Sequence, residues 1–448
     1  MSPNGDRPTE VLVVGGGYVG LYTALRLQRR LCHGEARVTV VEPRSYMTYQ
    51  PFLPEAAAGS VEPRHVVVPL RRVLTGCHVL SGRVTEVAHT SRTATVELLD
   101  GERRELSYDV LVMAPGSVAR TLPIPGLAES GIGFKTVEEA IYLRNHVLSR
   151  LALASSSQDP AERRRALTFV FVGGGYAGVE ALAELEDMAR YACRYYEAIE
   201  PEDMRWILVE ATGRILPEVG EDMGRYTVDE LRRRGMDVRL DCKITSAVGL
   251  HVVLESGEEF DVDTLVWTAG VKPHPVLAAT DLPLDEKGRL VATAELQVDG
   301  VPDAWTAGDC AAVPDLTKGP GQFCGPSAQH AVRQARRLAD NIVASLRGER
   351  LAPYRHKYAG SVASLGLHKG VAQVYGVKLR GWPAWFMHRT YHVSRVPTLN
   401  RKARVVADWT LALFFRREVV TLGSLEKPRR EFEMAAAPPP QRPWDTAS

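Results

Sequence analysis

Two stretches of this chain carry the same glycine spacing. Val11-Leu12-Val13-Val14 runs into Gly15-Gly16-Gly17-Tyr18-Val19-Gly20, and Phe169-Val170-Phe171-Val172 runs into Gly173-Gly174-Gly175-Tyr176-Ala177-Gly178. Glycine at the first, third and sixth places lets the backbone turn sharply, approach a pyrophosphate and pack a helix on the preceding strand. The pyrophosphate then faces the positive end of that helix. Each copy is followed by a second apolar run that ends in a carboxylate, Glu42 in the first and Glu210 in the second. A carboxylate in that place accepts hydrogen bonds from a ribose diol. Two dinucleotides in one polypeptide imply an electron relay.

The elements that must hold these groups follow from the periodicity. Residues 11–42 read as strand 11–14, a helix from 19 to 31 and strand 37–41. Strands with turn signals continue through 75–118, and 154–166 reads as a solvated linker. The second unit starts at Leu167, with a helix over 177–198 whose apolar stripe is Val179, Leu182, Leu185 and Met188. Glu180 extends the second fingerprint and falls in the first helical turn, where an acid complements the helix dipole. Asp309, after Ala307-Gly308 at a strand end, is a short acceptor held rigidly enough to bond cofactor hydroxyls. Gly325-Pro326-Ser327 opens a helix to about Leu346, with Pro326 or Ser327 suited to its start, and the Ala/Pro-rich residues 434–448 read as a disordered tail.

At 448 residues the chain has room for two or three domains. With 45% apolar and 24% charged residues and a net charge of +1, nothing global favours nucleic acid. The charge is uneven: residues 378–430 hold twelve Lys/Arg against three Asp/Glu, a local +9 that leaves the rest at −8. An anionic partner suits that region, and a membrane surface is one candidate. The N-terminus has no signal-peptide pattern, and no apolar run approaches the ~20 residues that span a bilayer. A cytoplasmic protein, attached at most to a membrane surface, is expected. The nearest pair of the six cysteines, Cys310 and Cys324, lies 14 apart, so neither a Cys-x-x-Cys redox pair nor a zinc site is expected.

Taken in order, the first fingerprint, Ala114-Pro115-Gly116, the second fingerprint, Thr268-Ala269-Gly270 and Ala307-Gly308-Asp309 resemble the two-dinucleotide-binding flavoprotein superfamily. Within it the chain is similar to type II NADH dehydrogenases, the non-pumping NADH:quinone oxidoreductases, over about residues 9–432. Tyr49-Gln50-Pro51-Phe52-Leu53-Pro54-Glu55, Ala328-Gln329-His330-Ala331 and a tryptophan-rich basic C-terminal region narrow the likeness.

The resemblance implies an α/β fold of two Rossmann-like domains with a C-terminal membrane-associating region. The FAD part would comprise 9–120 and 281–348, the NADH part 121–280, and the membrane or dimer region 349–433. FAD would be held by Gly15, Gly17, Gly20, Glu42, Ala114, Gly116, Gly308, Asp309, Ala328 and Gln329. NADH would be held by Gly173, Gly175, Gly178, Glu210 and Gly270. Glu210 would disfavour the 2′-phosphate of NADPH, with Arg214 softening that preference. Glu180 would stand near the nicotinamide and quinone pockets as a proton relay, its dipole role being the other reading. Gln329 would face the flavin and bond a quinone carbonyl. The family's second glutamine falls on Arg333, which would set a cation beside the acceptor, and His330 reads as a packed or exposed helix residue.

Near the C-terminus, Val405, Val406, Trp409 and Leu413 share a helical face flanked by Arg401, Lys402, Arg404, Arg416 and Arg417. That pattern fits an interfacial helix held in the headgroup region; the resemblance implies the inner face of the cell membrane, with menaquinone or ubiquinone as acceptor. A helix packed on the protein or on a dimer partner is the other reading. The rival functions are a soluble NADH-dependent reductase of a small redox protein and a non-enzymatic NADH-sensing scaffold.

Overall fold

The computed structural model describes residues 7–356, 360–415, 417–421 and 433. Parallel strands covered on both faces read as unbroken apolar runs, and the first such run forms β1 (Thr9–Val14). The glycine turn leads into α1 (Tyr18–Arg30), and β2 (Ala36–Glu42) pairs parallel to β1 with Val11 opposite Val38. After α2 (Leu53–Ala57), β3 (His78–Ala88), β4 (Thr93–Leu98) and β5 (Arg103–Ser107) extend the sheet, and β6 (Val110–Met113) takes the free side of β1.

The second half repeats this plan. It runs β7 (Ile132–Gly133), α3 (Val137–Ser156), α4 (Pro160–Ala166), β8 (Thr168–Val172) and α5 (Tyr176–Ala192). It continues through β9 (Arg205–Val209), β10 (Asp237–Arg239) and β11 (Thr264–Trp267) in a parallel sheet of order β7-β11-β8-β9-β10. The chain then returns: β12 (Ala304–Thr306) joins the first sheet beside β6, giving β12-β6-β1-β2-β3-β4-β5. α6 (Ala328–Leu346), capped by Ser327 Oγ on the His330 N–H, lies on α1, where Arg26 grips Asp340 at 2.7 and 2.8 Å. In both sheets the strand before the glycine turn sits between two parallel neighbours, so the turn opens at the carboxyl edge where the connections part. An antiparallel sheet of β13 (Gly360–Ser364), β14 (Gly370–Val374) and β15 (Val377–Arg380) follows, then α7 (Trp382–Arg395) and α8 (Leu399–Phe414).

Four sequence expectations are corrected. Residues 154–166 are not a linker: α3 runs to Ser156, and Asp159 caps α4 with Pro160 at its first position, burying Ala166. α5 ends at Ala192, short of residue 198, and because it starts at Tyr176, Glu180 lies beyond its first turn. The stripe on α8 divides: Val405 is fully buried and Trp409 half-buried, while Leu413 is 74% exposed and Val406 also faces outward. The 3.6-residue repeat places Leu413 and Val406 well round the helix from Val405, so one side of the stripe packs and the other does not. The tail at 434–448 and the basic residue Arg416 lie outside the described residues.

The last glycine of each fingerprint sets how closely helix meets strand. A Cβ at Gly20 would stand 1.8 Å from the Gly15 carbonyl oxygen, and one at Gly178 would stand 2.0 Å from that of Gly173. A Cβ at Gly17 meets nothing within 4 Å. Gly20→Ala is therefore expected to cost more than about 2 kcal/mol by denaturant unfolding. Gly17→Ala should stay within about 1 kcal/mol of the parent. Equal losses at the two positions would refute this account of the turn.

Candidate functional site

The two turns are built from the same contacts. Gly15 and Gly173 take φ of +99° and +109°, open to glycine and strained for other residues. Their N–H groups donate to Val41 and Val209 carbonyls, both at 2.9 Å, fixing each turn to the neighbouring strand. The Gly16 N–H donates to Glu42 Oε2 at 2.7 Å, and the Gly174 N–H to Glu210 Oε2 at 2.6 Å. Each acidic residue is thus anchored on the glycine turn it serves, with its carboxylate at the turn's mouth. Burial raises the Glu42 carboxyl above its ordinary range, against the two backbone N–H groups that favour its charge.

Both cradles have the shape a dinucleotide needs. Gly17 and Gly175 have no atom within 4 Å of a would-be Cβ, so the backbone at the head of α1 and of α5 stands clear for a phosphate. Gly116 and Gly270 lie across the turns at φ +72° and +84°, likewise with nothing near. The turns differ in their backing: Gly15 rests on the Ala114 carbonyl, and Gly173 on the Thr268 hydroxyl, which donates to Val172 O at 2.8 Å. Thr268 stands in a quoted motif, yet no spacing argument marked its side chain.

Asp309 is tied to the first cradle from the far end of the chain. Ser117 Oγ donates to Asp309 Oδ2 at 2.7 Å and accepts from Lys135 Nζ at 2.6 Å. Burial lowers the Lys135 ammonium, and Asp309 opposes that shift. A cavity of about 550 Å³ opens on Gly308 and Asp309, with Arg120, Lys272 and Lys287 on its walls to meet anionic groups. Gly308 is itself placed by Gln334, a buried residue whose Oε1 accepts the Gly308 N–H at 2.8 Å. Gln334, one place beyond the expected glutamine, faces inward toward the Asp309 turn. Arg333 bonds back to the Gln329 carbonyl at 3.0 Å and turns toward Arg336, Arg337 and Arg355. His330 is packed, its Nδ1 2.9 Å from the Tyr354 hydroxyl.

Gln329 and Glu180 meet opposite ends of one strand. The Gln329 amide donates to the Gly360 carbonyl at 3.3 Å, and its Oε1 lies 3.0 Å from His356 Nε2. Glu180, 6% exposed, accepts the Ser364 N–H at 2.8 Å and lies 3.2 Å from His388 Nε2. Gly360 and Ser364 begin and end β13, so the two side chains are separated by about 13 Å of extended backbone. A buried carboxylate bonded to a distant strand and facing a histidine is not a helix-dipole partner. Ala328 opens the helix that carries Gln329 and has no polar side chain of its own.

Sequence reasoning missed Tyr18, Ser117, Lys135 and His388, and noted Gln334 only as the glutamine one place after Arg333, without a role. Tyr18 and Tyr176 share the place after each glycine triplet, which was the one available signal. Tyr18 is half-buried beside Tyr49, and burial of its hydroxyl lifts the phenol well above the usual value. Arg214 does not neutralise Glu210: its guanidinium donates to the carbonyls of Pro217 and Val219 at 3.1 and 2.7 Å. All six cysteines are free thiols, and burial raises Cys193, Cys310 and Cys324 to about 11, far from a reactive thiolate. No helix among the described residues is long and apolar enough to cross a membrane.

Comparison with known proteins agrees with this architecture. A type II NADH:quinone oxidoreductase Ndh of Mycobacterium tuberculosis is 27% identical over 426 residues, covering 92% of this chain and 89% of that protein. A demethylphylloquinone reductase NdbB of Synechocystis is 29% identical over 411 residues, covering 90% of this chain and 96% of that one. The solved structure of NDH2 from Plasmodium falciparum in complex with NADH superimposes with a TM-score of 0.86 at 18% identity, over 92% of this chain and 100% of that chain. At that identity the likeness concerns the fold. The pyridine nucleotide-disulphide oxidoreductase model matches residues 9–335, and the chain belongs to that family.

Proposed function

We propose that this protein is a non-pumping, FAD-dependent NADH:quinone oxidoreductase. The observation that carries the reading is the pair of equivalent glycine turns, each clear at its third glycine and each joined to an anchored carboxylate. The named relatives support quinone as acceptor. FAD, when bound, supplies a flavin ring that accepts the hydride of NADH and passes two electrons on.

The chain's own residues bind and orient. Gly15, Gly17, Gly20 and Glu42 hold the adenosine half of FAD. Asp309, fixed by Ser117, and Gly116 and Gly308 hold the part nearer the ring. Gly173, Gly175, Gly178, Gly270 and Glu210 hold NADH. Both Glu210 oxygens are engaged, one by Gly174 and the other by Thr212, so the carboxylate stays fixed where a 2′-phosphate would repel it. Gln329 and Glu180 serve the acceptor side, Gln329 to orient the quinone and Glu180 to hold a proton. In this reading residues 9–120 and 281–348 form the flavin half and 121–280 the NADH half.

Attachment to the inner face of the membrane is assigned to the outward side of the last two helices. Trp382 stacks on Phe386 at the surface, and Leu399, Leu413, Phe414 and Phe415 are exposed beside Lys402 and Arg404. Trp409 takes no part, because its indole donates to buried Glu55. A homodimer covering the same apolar residues is the competing arrangement.

Two measurements test these assignments. NADH added anaerobically should bleach the flavin absorbance, and a water-soluble menaquinone analogue should restore it rapidly. Bleaching without accelerated recovery would overturn the quinone assignment and leave the flavoprotein one. Glu210→Ala should cut the preference for NADH over NADPH by about tenfold, the equivalent of ~1.4 kcal/mol. An unchanged ratio of the two kcat/KM values would remove that role from Glu210.

A further inference from the structure

One stretch of α6 presents guanidinium groups and almost nothing to balance them. Arg333, Arg336 and Arg337 of that helix meet Arg355, from the segment beyond it, around a recess of about 230 Å³. Asp340 is the only acid lining the recess among the described residues, and it is already engaged. Arg26 of α1 holds both of its oxygens, at 2.7 and 2.8 Å, and Arg30 stands at 3.7 Å. None of the four recess arginines makes an ion pair among the described residues.

A solvated helix face commonly interleaves acids with bases, so that residues four apart offset one another. Here the cations stand together, and like charges gathered without counterions repel. The surface is also concave and partly fixed. Arg333 and Arg337 are half-buried, and Arg333 Nη1 donates to the Gln329 carbonyl at 3.0 Å, which holds its planar fork in place. Such forks match the oxygens of a phosphate two at a time. Size limits what enters: the recess falls below the ~300 Å³ at which pockets begin to enclose a drug-sized molecule. One or two phosphate groups fit, with the remainder of the ligand outside.

We propose that this recess binds a multiply charged phosphate group, carried by a lipid headgroup or by a free phosphate compound. It goes beyond the quinone reading and stands independently of it.

Two neighbours give the recess its setting. His356, in its wall, places Nε2 3.0 Å from Gln329 Oε1, so the recess and Gln329 share a residue. Burial, Arg333 and His330 lower the His356 imidazole against Asp315, so the positive charge is that of the arginines. On the other side stands Tyr22, whose phenol burial lifts to about 12 against Arg336 and Arg395. Its hydroxyl donates to the Arg395 carbonyl at 3.0 Å, where α7 ends, and Leu399, 82% exposed, opens α8 just beyond. The recess is thus linked through Tyr22 to the corner of α7 and α8, beside their outward apolar side. A headgroup reaches it from that side and a soluble phosphate from solvent.

The test uses the FAD-loaded protein with saturating NAD⁺ and inorganic pyrophosphate as the probe. Titrated calorimetrically, pyrophosphate should bind one-to-one, more weakly as salt is raised. Arg336 and Arg355 are exposed, so their variants should keep the parent's flavin absorbance and melting temperature. Arg336→Gln combined with Arg355→Gln should weaken pyrophosphate about tenfold, and Arg336→Lys combined with Arg355→Lys, which keeps charge but loses the fork, about threefold. In histidine-labelled protein, the His356 resonance, assigned with His356→Gln, should titrate higher with pyrophosphate bound, because the anion offsets Arg333. Sedimentation with vesicles separates the two sources. Binding to equimolar phosphatidylcholine–phosphatidate vesicles that falls in the glutamine pair and is competed by pyrophosphate assigns the lipid headgroup. Vesicle binding equal in the parent and the glutamine pair, beside weakened pyrophosphate, assigns the free compound. Equal pyrophosphate affinity in the parent and the glutamine pair, full affinity in the lysine pair, or a His356 titration unmoved by pyrophosphate would overturn the site.

Discussion

The structure depends on one close approach made twice: a helix brought so near the strand before it that no side-chain carbon fits between. At Gly20 and Gly178 the helix backbone almost touches the carbonyl of the first turn glycine. That contact aims the freed N–H groups of α1 and α5 outward from the sheet edge, where a phosphate finds both donors and the positive helix end. The second strand of each unit then delivers a carboxylate to the same turn, so turn and carboxylate form one rigid piece.

Repetition of the unit does not make the halves interchangeable. The first turn is backed by a carbonyl, closed by Asp309 from the far end of the chain and bordered by Ser117 and Lys135. Those contacts bind the first sheet to its late strand and helix, which suits a resident cofactor. The second turn is backed by a hydroxyl and has its acidic residue braced by Thr212. Arg333, Arg336 and Arg337 of α6 line a separate pocket with Asp340, Tyr354, Arg355 and His356.

The C-terminal sheet and helices do two things at once. β13 touches Gln329 at one end and Glu180 at the other, so a short strand joins the late helix α6 to the helix of the second glycine turn. α7 and α8 bury their inward sides over Glu55, Glu180 and Glu184 and leave an apolar outer side exposed. The tryptophans show the division: Trp385 and Trp409 are spent on clamping Arg389, and Trp382 remains at the surface. A stripe of apolar residues on one helix could not disclose that division, because helical periodicity gives the angle between side chains and not the position of the neighbour.

Much of the fold was legible in the chain before any coordinates. Apolar runs rich in valine or aromatic residues marked β1, β2, β8 and β9, and Pro326-Ser327 marked the start of α6, because such signals are local and physical. The glycine positions and Glu42 and Glu210 were readable for the same reason: a turn of that tightness tolerates few alternatives. What the sequence could not state is which distant groups meet. Gln334 reaching Gly308, Lys135 reaching Ser117 and Asp309, and His388 reaching Glu180 all join segments far apart in the chain. Residue spacing carries no record of such meetings. The sequence by itself determined two tight glycine turns, each followed by a strand ending in a carboxylate, since backbone geometry within a few residues dictates them. Only the tertiary structure decided how the two are coupled, because buried charges are placed by the packing of whole sheets and helices against one another.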